Sequence, residues 1–362
     1  MPVARLELRH SAGTTPVWVG AGALEKARVE LASAVIDRRV FAVTSPPVYR
    51  LHGGSLERLL AGAADFQLLE VADGEVAKTI ETATGIWRRL LLNGGKRDSL
   101  VVAFGGGSIG DLAGFVAGCF LRGVDVLQVP TTLLAQVDAA IGGKTAVNLP
   151  EAKNSVGVFH HPLGTVADTR FLSTLAPRQL RSGLFEVLKT GAILDAGLFD
   201  LLETYLDAAL TGDADALAPI VERTAVAKIG LVEDDPEEHD RRRLLNFGHT
   251  LGHALELASD NLEHGEAVGY GMLFALDLAI ERGLPIGEAE RARSLIRRLG
   301  LPPLAADIRF DAVLGRLERD KKAREGGIAW VLPLALGRGG IFTDVQLEDV
   351  SGRLAGFLAA AC

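Results

Sequence analysis

The fold class of this chain is decided by the stretch Leu100–Asp111, which reads LVVAFGGGSIGD. Its first five residues form an apolar run typical of a strand covered on both faces of a parallel sheet. The glycines that follow allow a tight turn, and an apolar helical pattern begins directly after them. Such a turn lets a pyrophosphate approach the free N–H groups at a helix N-terminus. The spacing Gly105-x-Gly107-x-x-Gly110 therefore fits a dinucleotide-binding turn, although a turn without a ligand fits this motif equally well.

The remainder of the first half repeats the alternation of strand and helix. Short apolar runs predict strands at 17–19, 40–43, 66–69 and 126–129, and helices are predicted at 23–35, 55–62, 75–92 and 110–121. This order predicts an N-terminal α/β dinucleotide-binding domain with a mostly parallel sheet. Thr131 and Thr132 follow a predicted strand, so we expect them beside the glycine turn at the carboxyl edge of the sheet. Because open α/β sheets bind ligands at this edge, the context favours a bound dinucleotide.

Longer helical periods dominate from about residue 177. Helices are predicted at 178–191, 197–209, 213–233, 246–259, 265–282, 287–299 and 345–360, with a small β excursion at 328–332. The sequence thus predicts an α/β domain over 1–172 and a mainly α-helical domain over 173–362 that binds metal and substrate. We expect the active site in the cleft between these halves.

Composition restricts the class of function. The 362 residues suit about two domains, and 48% hydrophobic with 23% charged residues is usual for globular proteins. A formal charge of -8 argues against a general nucleic-acid binder. No apolar run of membrane-spanning length and no signal-peptide pattern is present, and the two cysteines favour a reducing compartment. We therefore expect a cytoplasmic protein without nucleic-acid or membrane partners.

Three of the eight histidines, His249, His253 and His264, lie within 16 residues. The first two are one helical turn apart, and neutral imidazole is a common ligand of divalent metals. Glu186 lies in a predicted apolar helix, where an isolated carboxylate needs a cation or a metal. With His249 and His264 it makes a set of two imidazoles and one carboxylate that leaves coordination positions open for a substrate. The spacing leaves open whether His253 binds the metal or transfers protons.

Basic residues recur beside glycines, asparagines and apolar runs, which predicts that they converge on a phosphate or carboxylate. They are Arg122, Lys144, Lys153, Lys189, Lys228, Arg242 and the pair Lys321-Lys322. The alternative is an ordinary solvated surface, and the run Arg241–Arg243 by itself would be a surface charge run. Glu75 and Lys78 stand one turn apart at a predicted helix start, where an ion pair that caps the helix is the more common arrangement.

The order of these motifs resembles the 3-dehydroquinate synthase family of the shikimate pathway. The resemblance runs from about Val17 to Leu336 and rests on motifs at 105–115, 121–123, 128–138, 142–145, 153–154, 183–189, 242, 246–249, 264–268 and 320–322. It implies an NAD-binding α/β domain, a mainly helical domain and a divalent metal, usually zinc, with cobalt as the alternative. It also implies a phosphorylated sugar-acid substrate and a homodimer.

The resemblance assigns roles to particular residues. The metal ligands would be Glu186, His249 and His264, with His253 as a proton-handling residue beside them. The substrate site would be lined by Asp138, Lys144, Asn154, Lys189, Lys228, Arg242, Asn246 and Lys321, with Lys322 as the alternative to Lys321. The cofactor would be bound by Ser45, Glu75, Lys78, Gly106, Gly107, Ser108, Asp111, Thr131, Thr132, Lys153 and Thr174. Arg122 would reach the substrate phosphate from the neighbouring subunit.

The implied reaction converts 3-deoxy-D-arabino-heptulosonate 7-phosphate to 3-dehydroquinate and phosphate, by transient oxidation, elimination, re-reduction and intramolecular aldol closure. The alternatives are a sibling sugar-phosphate cyclase of secondary metabolism, a metal-dependent polyol dehydrogenase and an inactive NAD-binding scaffold. The joint presence of Asn154, Arg242, Asn246 and His253 favours the synthase over a sibling cyclase. A dehydrogenase needs no cluster of phosphate-binding residues, and a scaffold would not need every catalytic residue type.

One position departs from the family pattern. After the second strand the family commonly has an Asp or Asn that holds the adenosine ribose, where this chain reads Ser45-Pro46-Pro47. Ser45 can take part of that role, but two prolines stiffen the turn and remove N–H donors. The sequence therefore predicts an altered affinity for the cofactor.

Overall fold

The computed structural model describes residues 2–259, 261–305, 308–323 and 328–361, with the backbone alone described for 320–323. The chain forms two compact units: Met1–Ala176 with Asp207–Pro236, and Pro177–Leu206 with Glu237–Cys362. The sequence predicted one boundary after residue 172, so it did not anticipate that 207–236 return to the first unit.

The first unit is built on a seven-stranded sheet and a separate two-stranded hairpin. Its strands are β1 (Ala4–His10), β2 (Gly13–Gly20), β3 (Arg39–Thr44), β4 (Asp65–Glu70), β5 (Leu100–Gly105), β6 (Asp125–Pro130), β7 (Lys144–Leu149), β8 (Ala152–Phe159) and β9 (Gly164–Asp168). The order across the sheet is β1-β2-β9-β6-β5-β3-β4, and every neighbouring pair except β1–β2 is parallel. The predicted α/β fold with a mostly parallel sheet is confirmed. The sequence missed β1, β9 and the antiparallel hairpin β7–β8.

Helices cover both faces of this sheet. They are α1 (Ala23–Glu30), α2 (Ala32–Val35), α3 (Pro46–Leu59), α4 (Ile80–Leu92) and α5 (Gly107–Cys119). Along β5, Val101 and Ala103 pack on one side with residues of α4 and α5. Val102 and Phe104 pack on the other side with residues of α1 and α3. Successive strand residues face opposite ways, so a strand buried on both sides must be apolar throughout, as the sequence of β5 is.

The remaining elements are mainly helical. They are α6 (Pro177–Leu194), α7 (Ala196–Ala209), α8 (Ala214–Asp234), α9 (His249–Ala258), α10 (His264–Glu281), α11 (Ile286–Leu299), α12 (Phe310–Ala323), α13 (Leu347–Ala361) and the hairpin of β10 (Trp330–Ala335) and β11 (Arg338–Phe342). The sequence predicted these helices except α12, and the hairpin corresponds to the predicted β excursion. Among the helices that the structure describes, none has both the length and the apolar character to cross a membrane.

Helix α8 explains why 207–236 belong to the first unit. It packs against β1 and β2 at the edge of the sheet. The Glu233 carboxylate accepts a hydrogen bond from the backbone N–H of Arg9 at 2.7 Å, and the Thr169 hydroxyl donates to the Ala214 carbonyl at 2.9 Å. The helical periodicity of this segment predicted a helix correctly but carried no information on which unit its apolar face would join.

Candidate active site

The glycine turn joins β5 to α5 at the carboxyl edge of the sheet. Gly105 pairs with Pro130 in the register of β5 and β6, and the Thr131 N–H donates to the Gly105 carbonyl at 2.9 Å. A Cβ at Gly106, the N-cap of α5, would lie 3.1 Å from the Thr132 methyl group. Glycine at this position lets the turn pass close to Thr132 without displacing that methyl group. The structure brings together the turn and the two threonines that the sequence placed at this edge.

A polar network surrounds the first turn of α5. The Glu75 carboxylate accepts from the Ser108 hydroxyl at 2.9 Å and from the Asn148 amide at 2.7 Å. The Lys78 ammonium is buried, lies 3.8 Å from Glu75 and donates to Asp111 at 2.5 Å. The predicted ion pair of Glu75 and Lys78 is thus part of a larger cluster that ties the segment before α4 to α5.

Neighbouring charges and hydrogen bonds within this cluster stabilise the ionised form of Glu75. Burial disfavours ionisation of Glu75, but the Lys78 charge and the hydrogen bonds from Asn148 and Ser108 outweigh it, so the pKa of Glu75 lies below its usual value. The nearby charge of Lys153, which is exposed on β8, acts in the same direction. Glu75 is therefore a carboxylate at neutral pH and can accept hydrogen bonds from a ribose hydroxyl.

Ser45 lies at the carboxyl end of β3 and is buried. Its hydroxyl donates to the Asp73 carboxylate at 2.7 Å. Pro46 and Pro47 occupy the first two positions of α3, where backbone N–H groups have no partner within the helix. The prolines therefore remove no hydrogen bond of the helix. Asp73 supplies a carboxylate beside Ser45, which the sequence reasoning missed because Asp73 stands on a different strand end.

Thr174, another predicted cofactor residue, ends the short 3-10 helix Thr169–Thr174. Its hydroxyl donates to the Phe171 carbonyl at 3.0 Å and lies 2.8 Å from the His52 Nε2 atom. The side chain is exposed. These contacts tie it to α3, on the face of the sheet that α1 and α3 cover.

Four residues predicted to line the substrate site and Arg122, predicted to reach the substrate phosphate, belong to the first unit. The buried Lys228 on α8 donates to both the carboxylate and the carbonyl of Asp138. Lys144 starts β7 and is exposed, and Arg122 is exposed in a turn with φ of 67°. Asn154 is exposed on β8 with φ of 54°, and its side-chain oxygen accepts from Lys78. Asp138 and Lys228 thus form one contact pair, and Asn154 joins the cluster around Lys78.

The second unit contains a cluster of one carboxylate and three imidazoles, of which Glu186 and His249 are buried. Candidate ligand atoms of His249, His253 and His264 all lie within 4.8 Å of one another. Glu186 on α6 is 1% exposed, and its Oε1 atom lies 3.6 Å from the His264 Nε2 atom and 3.9 Å from the His249 Nε2 atom. The other oxygen, Oε2, accepts from Lys189 one turn along the same helix. The structure therefore gathers residues from α6, α9 and α10 that are 78 or fewer positions apart in the chain.

Close helix packing makes this cluster possible. A Cβ at Gly271 on α10 would lie 1.8 Å from the Gly248 carbonyl, which directly precedes His249. Helix α10 therefore needs glycine at this position to touch the turn that begins α9. The result is that His249, at the start of α9, and His264, at the start of α10, have ring centroids 5.2 Å apart.

The cluster fits a divalent cation. The Glu186 Oε1 atom is buried and has no hydrogen-bond partner among the described residues. A buried carboxylate oxygen in that state is costly unless a cation neutralises it. Zinc with nitrogen and oxygen ligands at 2.0 to 2.2 Å sets neighbouring ligand atoms about 3.4 Å apart. The separations of 3.6 and 3.9 Å from the imidazole nitrogens need only a small contraction.

Hydrogen bonds orient two of the imidazoles. His249 Nδ1 donates to the Phe247 carbonyl at 3.2 Å, and His264 Nδ1 lies 2.9 Å from the Glu256 carboxylate. With Nδ1 as the donor in each ring, the Nε2 lone pair is free to bind a metal. His253 is exposed and makes no hydrogen bond within the described part of the chain. The two oriented rings are thus distinguished from His253, and Glu256 is a supporting residue that the sequence did not reveal.

The pKa values of the two oriented imidazoles differ. Burial, followed by the charge of Lys189, holds the pKa of His249 well below its usual value, so this ring is neutral, as a metal ligand must be. Burial also acts to lower the pKa of His264, but the hydrogen bond to Glu256 and the charge of Glu186 raise it overall. The Lys189 charge lowers the pKa of both rings, and the hydrogen bond to Glu256 with the Glu186 charge makes the difference at His264.

A cavity of about 60 Å³ opens beside the imidazoles. It is lined by Arg243, Asn246, His249, Thr250, His253, Ala329, Val331 and Ile341. Arg242, the predicted substrate residue, is buried, whereas Arg243, which looked like surface charge in the sequence, lines the cavity. The side chain of Asn246 lies at the cavity and donates to Glu238 at 3.2 Å. The side chains of Lys321 and Lys322 lie outside the described residues.

Comparisons with known proteins agree with this arrangement. Residues 68–182 match the 3-dehydroquinate synthase N-terminal family, and residues 183–323 match the 3-dehydroquinate synthase C-terminal family. The 3-dehydroquinate synthase of Caulobacter vibrioides (strain NA1000 / CB15N) is 42% identical over 91% of this chain and 92% of its own length.

Two solved structures share the fold. 2-epi-5-epi-valiolone synthase from Streptomyces hygroscopicus subsp. jinggangensis 5008, with NAD+ and Zn2+ bound, is 32% identical with a TM-score of 0.86, over 96% of this chain and 97% of that one. 2-deoxy-scyllo-inosose synthase, complexed with carbaglucose-6-phosphate, NAD+ and Co2+, is 26% identical with a TM-score of 0.86, over 96% of this chain and 98% of that one. The two family models and the relative from Caulobacter vibrioides point to the same family. This chain belongs to the 3-dehydroquinate synthase family.

Proposed function

We propose that this chain converts 3-deoxy-D-arabino-heptulosonate 7-phosphate to 3-dehydroquinate and phosphate, with NAD and a divalent metal. The observation that carries the proposal is the orphaned Glu186 oxygen facing two oriented imidazoles, in a chain of this family. Structural relatives solved with NAD+ and with Zn2+ or Co2+ support both cofactors. The reaction makes the chain a carbon–oxygen lyase, and we propose that it acts in the cytoplasm.

The first unit supplies the NAD site in this proposal. The residues would be Ser45, Glu75, Lys78, Gly106, Gly107, Ser108, Asp111, Thr131, Thr132, Lys153 and Thr174, with α5 directing its N-terminus at the pyrophosphate. When bound, NAD supplies an acceptor for a hydride and returns it later, so no net redox change occurs. Glu75 and Asp73 are the carboxylates available near the strand ends to accept from ribose hydroxyls.

The second unit supplies the metal site. Glu186, His249 and His264 would be the ligands, and when bound the metal supplies Lewis-acid polarisation of the substrate hydroxyl that is oxidised. Two observations support this set over one that includes His253: the Nδ1 hydrogen bonds of His249 and His264, and the approach of Glu186 to their Nε2 atoms. His253 is exposed beside the cavity, which suits a group that takes up and releases a proton at a ring nitrogen.

Basic and amide side chains hold the anionic groups of the substrate. Lys144, Asn154, Lys189, Lys228, Arg242, Asn246 and Lys321 are proposed for this role, and the Asp138 carboxylate is proposed to accept hydrogen bonds from substrate hydroxyls in the same site. The buried Lys228 orients Asp138 by donating to it. Lys189 keeps the Glu186 carboxylate in place and adds positive charge near a developing oxyanion. These residues would bind the substrate and hold it in the orientation that the reaction requires.

A homodimer with Arg122 acting in the partner's site is part of the proposal. Arg122 is exposed beside Leu121, which is 39% exposed, and both have positive φ. His160 Nε2 lies 2.8 Å from the Val124 carbonyl, so the end of the β7–β8 hairpin lies beside this turn. Exposed apolar side chains around a functional arginine support an interface at this surface.

Subunit complementation tests the dimer. Arg122→Ala and His249→Ala chains, each inactive alone, are mixed, unfolded and refolded together. If Arg122 acts across the interface, the mixed dimer regains one site with both groups intact, and activity returns. No recovery in a mixture that sedimentation shows to contain mixed dimers would refute the exchange of Arg122.

The reaction itself is tested by phosphate release from 3-deoxy-D-arabino-heptulosonate 7-phosphate by metal-loaded protein with catalytic NAD. We expect 3-dehydroquinate without accumulation of NADH. Two other outcomes would contradict the proposal. Turnover of sedoheptulose 7-phosphate instead would indicate a sibling cyclase, and steady NADH formation from a polyol would indicate a dehydrogenase.

A further inference from the structure

Asn148 has no role in the proposed reaction, yet it touches both the proposed NAD site and the β7–β8 hairpin. It lies on β7, and its amide nitrogen donates to the Glu75 carboxylate at 2.7 Å. Its amide oxygen accepts from the backbone N–H of Asn154 at 2.8 Å. One side chain therefore uses both of its polar ends, one toward the segment before α4 and one toward β8.

The backbone at Asn148 strengthens the same connection. Its N–H donates to the Lys78 carbonyl at 2.8 Å, and Thr79 pairs with Asn148 in an isolated parallel bridge. The hairpin is thus docked on the segment 75–79 through main-chain and side-chain contacts together. The hairpin forms its own two-stranded sheet and packs on α5, and the contacts with 75–79 are those that join it to Glu75.

Asn154 is held from both sides in an uncommon conformation. Its φ of 54° lies in the left-handed region, which asparagine tolerates better than most residues. The Asn148 oxygen holds its N–H, and its own side-chain oxygen accepts from Lys78, which also donates to Asp111 on α5. The geometry of Asn154 therefore depends on groups that surround the glycine turn.

Glu75 completes the chain of contacts. One of its oxygens accepts from Asn148 and the other from Ser108 in the first turn of α5. Anything that orders Ser108 and Glu75 also orders Asn148 and, through it, Asn154. Ordering shared by two ligands is a source of positive cooperativity between them.

We propose that Asn148 is a positioning residue that couples NAD binding at the glycine turn to the presentation of Asn154 on the β7–β8 hairpin. This proposal rests on the proposed function in taking NAD as the ligand of the turn. Bound NAD orders Glu75, Asn148 transmits that order, and the hairpin then presents Asn154 in one conformation. By thermodynamic linkage, ordering of the hairpin also raises the affinity of the protein for NAD.

Hydrogen exchange of the backbone amides at 144–159, with and without NAD, tests the coupling directly. In the unmodified chain we expect NAD to slow exchange across the hairpin. In Asn148→Ala, NAD still binds, but this protection falls at least about tenfold, the order expected from losing a hydrogen bond to a charged group. Equal NAD-dependent protection in both chains, or none in the unmodified chain, would overturn the proposal.

Asn148→Asp distinguishes the two hydrogen bonds of the Asn148 side chain, because it alters the contact with Glu75 and keeps the one with Asn154. The aspartate keeps an oxygen for the Asn154 N–H but turns a second carboxylate toward Glu75, where like charges repel. We expect it to lose the NAD-dependent protection as Asn148→Ala does. Protection equal to that of the unmodified chain would show that the contact with Glu75 carries no coupling. Ser155→Ala is the matched control, since among the described residues that exposed hydroxyl of the same hairpin donates only to the Ala152 carbonyl.

Kinetics supply a second readout. With NAD saturating, Asn148→Ala should raise the KM for the sugar-phosphate substrate about tenfold and leave kcat within about twofold, since Asn148 touches no reacting group. Equal effects on kcat and KM would assign it a general structural role instead. If the chain fails to turn over this substrate at all, hydrogen exchange with NAD still decides on the coupling, so the two proposals fail separately.

Discussion

The glycine turn of the first unit and the imidazole cluster of the second present their polar groups in different ways. The turn offers backbone groups at the edge of a sheet, supported by a network of Glu75, Lys78 and Ser108. The cluster depends on a few ionisable side chains, of which Glu186 and Lys189 are almost fully buried. A dinucleotide at the turn would be held by many contacts, whereas a metal at the cluster would depend on each of its few ligands. Single substitutions should therefore act more severely in the second unit.

The largest effect is expected from His249→Ala. The buried ring is proposed as a metal ligand, so its loss should abolish metal binding and turnover together. Metal content measured by mass spectrometry, with circular dichroism to verify folding, checks this. His239→Ala is the matched control, because this imidazole is 80% exposed and lies outside the cluster. A folded His249→Ala chain with full metal content would contradict the ligand assignment.

Removal of the metal should have the next largest effect. Without a cation, Glu186 retains a buried oxygen that no described residue satisfies. A metal that binds only the folded state stabilises it by mass action, by about 4 kcal/mol at a concentration 1,000 times its Kd. We expect chelation to lower the Tm by several degrees and zinc to restore it. An unchanged Tm in a chain shown to have lost its metal would argue that the cluster is satisfied without one.

Lys78→Met tests the network of the first unit. The substitution leaves Asp111 and Asn154 without the ammonium that donates to both. Loss of a charged hydrogen bond destabilises a protein by roughly 2 kcal/mol, and NAD affinity should fall as the first turn of α5 loses its support. Urea unfolding and calorimetric NAD titration measure the two effects. Lys96→Met, at an exposed lysine of the same unit, should change neither.

Arg243→Ala should have a smaller effect, confined to substrate binding. The Arg243 guanidinium lines the cavity, and no hydrogen bond or ion pair joins it to another described side chain. It is therefore available to an anionic group of the substrate, and its loss should raise the KM about tenfold. Metal content should stay unchanged. Arg241→Ala, at an exposed position two residues earlier, is the control, and an equal KM increase there would assign the effect to general surface charge.

The smallest effect is expected at Ser45. Although family members commonly carry Asp or Asn here, the Asp73 carboxylate already lies 2.7 Å from the Ser45 hydroxyl. Ser45→Asp would place two carboxylates in contact, so we expect NAD affinity to fall a few-fold, whereas Ser45→Asn should leave it unchanged. Fluorescence titration with NAD checks both. Tighter NAD binding in Ser45→Asp would show that Asp73 moves away when the cofactor binds.

Much of the fold followed from the sequence because periodicity is local. Five strands with continuous apolar runs and the helices of the second half other than α12 were predicted at nearly the observed positions. The missed strands have weaker patterns: β8 is mostly exposed, and β9 has five residues directly after a proline-containing turn. The membership of α8 was missed for a different reason, since helix propensity does not specify which surface an apolar face will cover.

The sequence by itself determined the α/β class, the glycine turn and the residue types of both candidate sites. Only the tertiary structure decided which side chains share an environment. It placed Asp73 beside Ser45, Asn148 between Glu75 and Asn154, Glu256 behind His264, and Arg243 at the cavity. The physical reason is the distance along the chain over which each interaction acts. Turn and helix signals arise from neighbours a few residues apart, whereas burial, ion pairing and the orphaned Glu186 oxygen depend on groups that meet only after the helices pack.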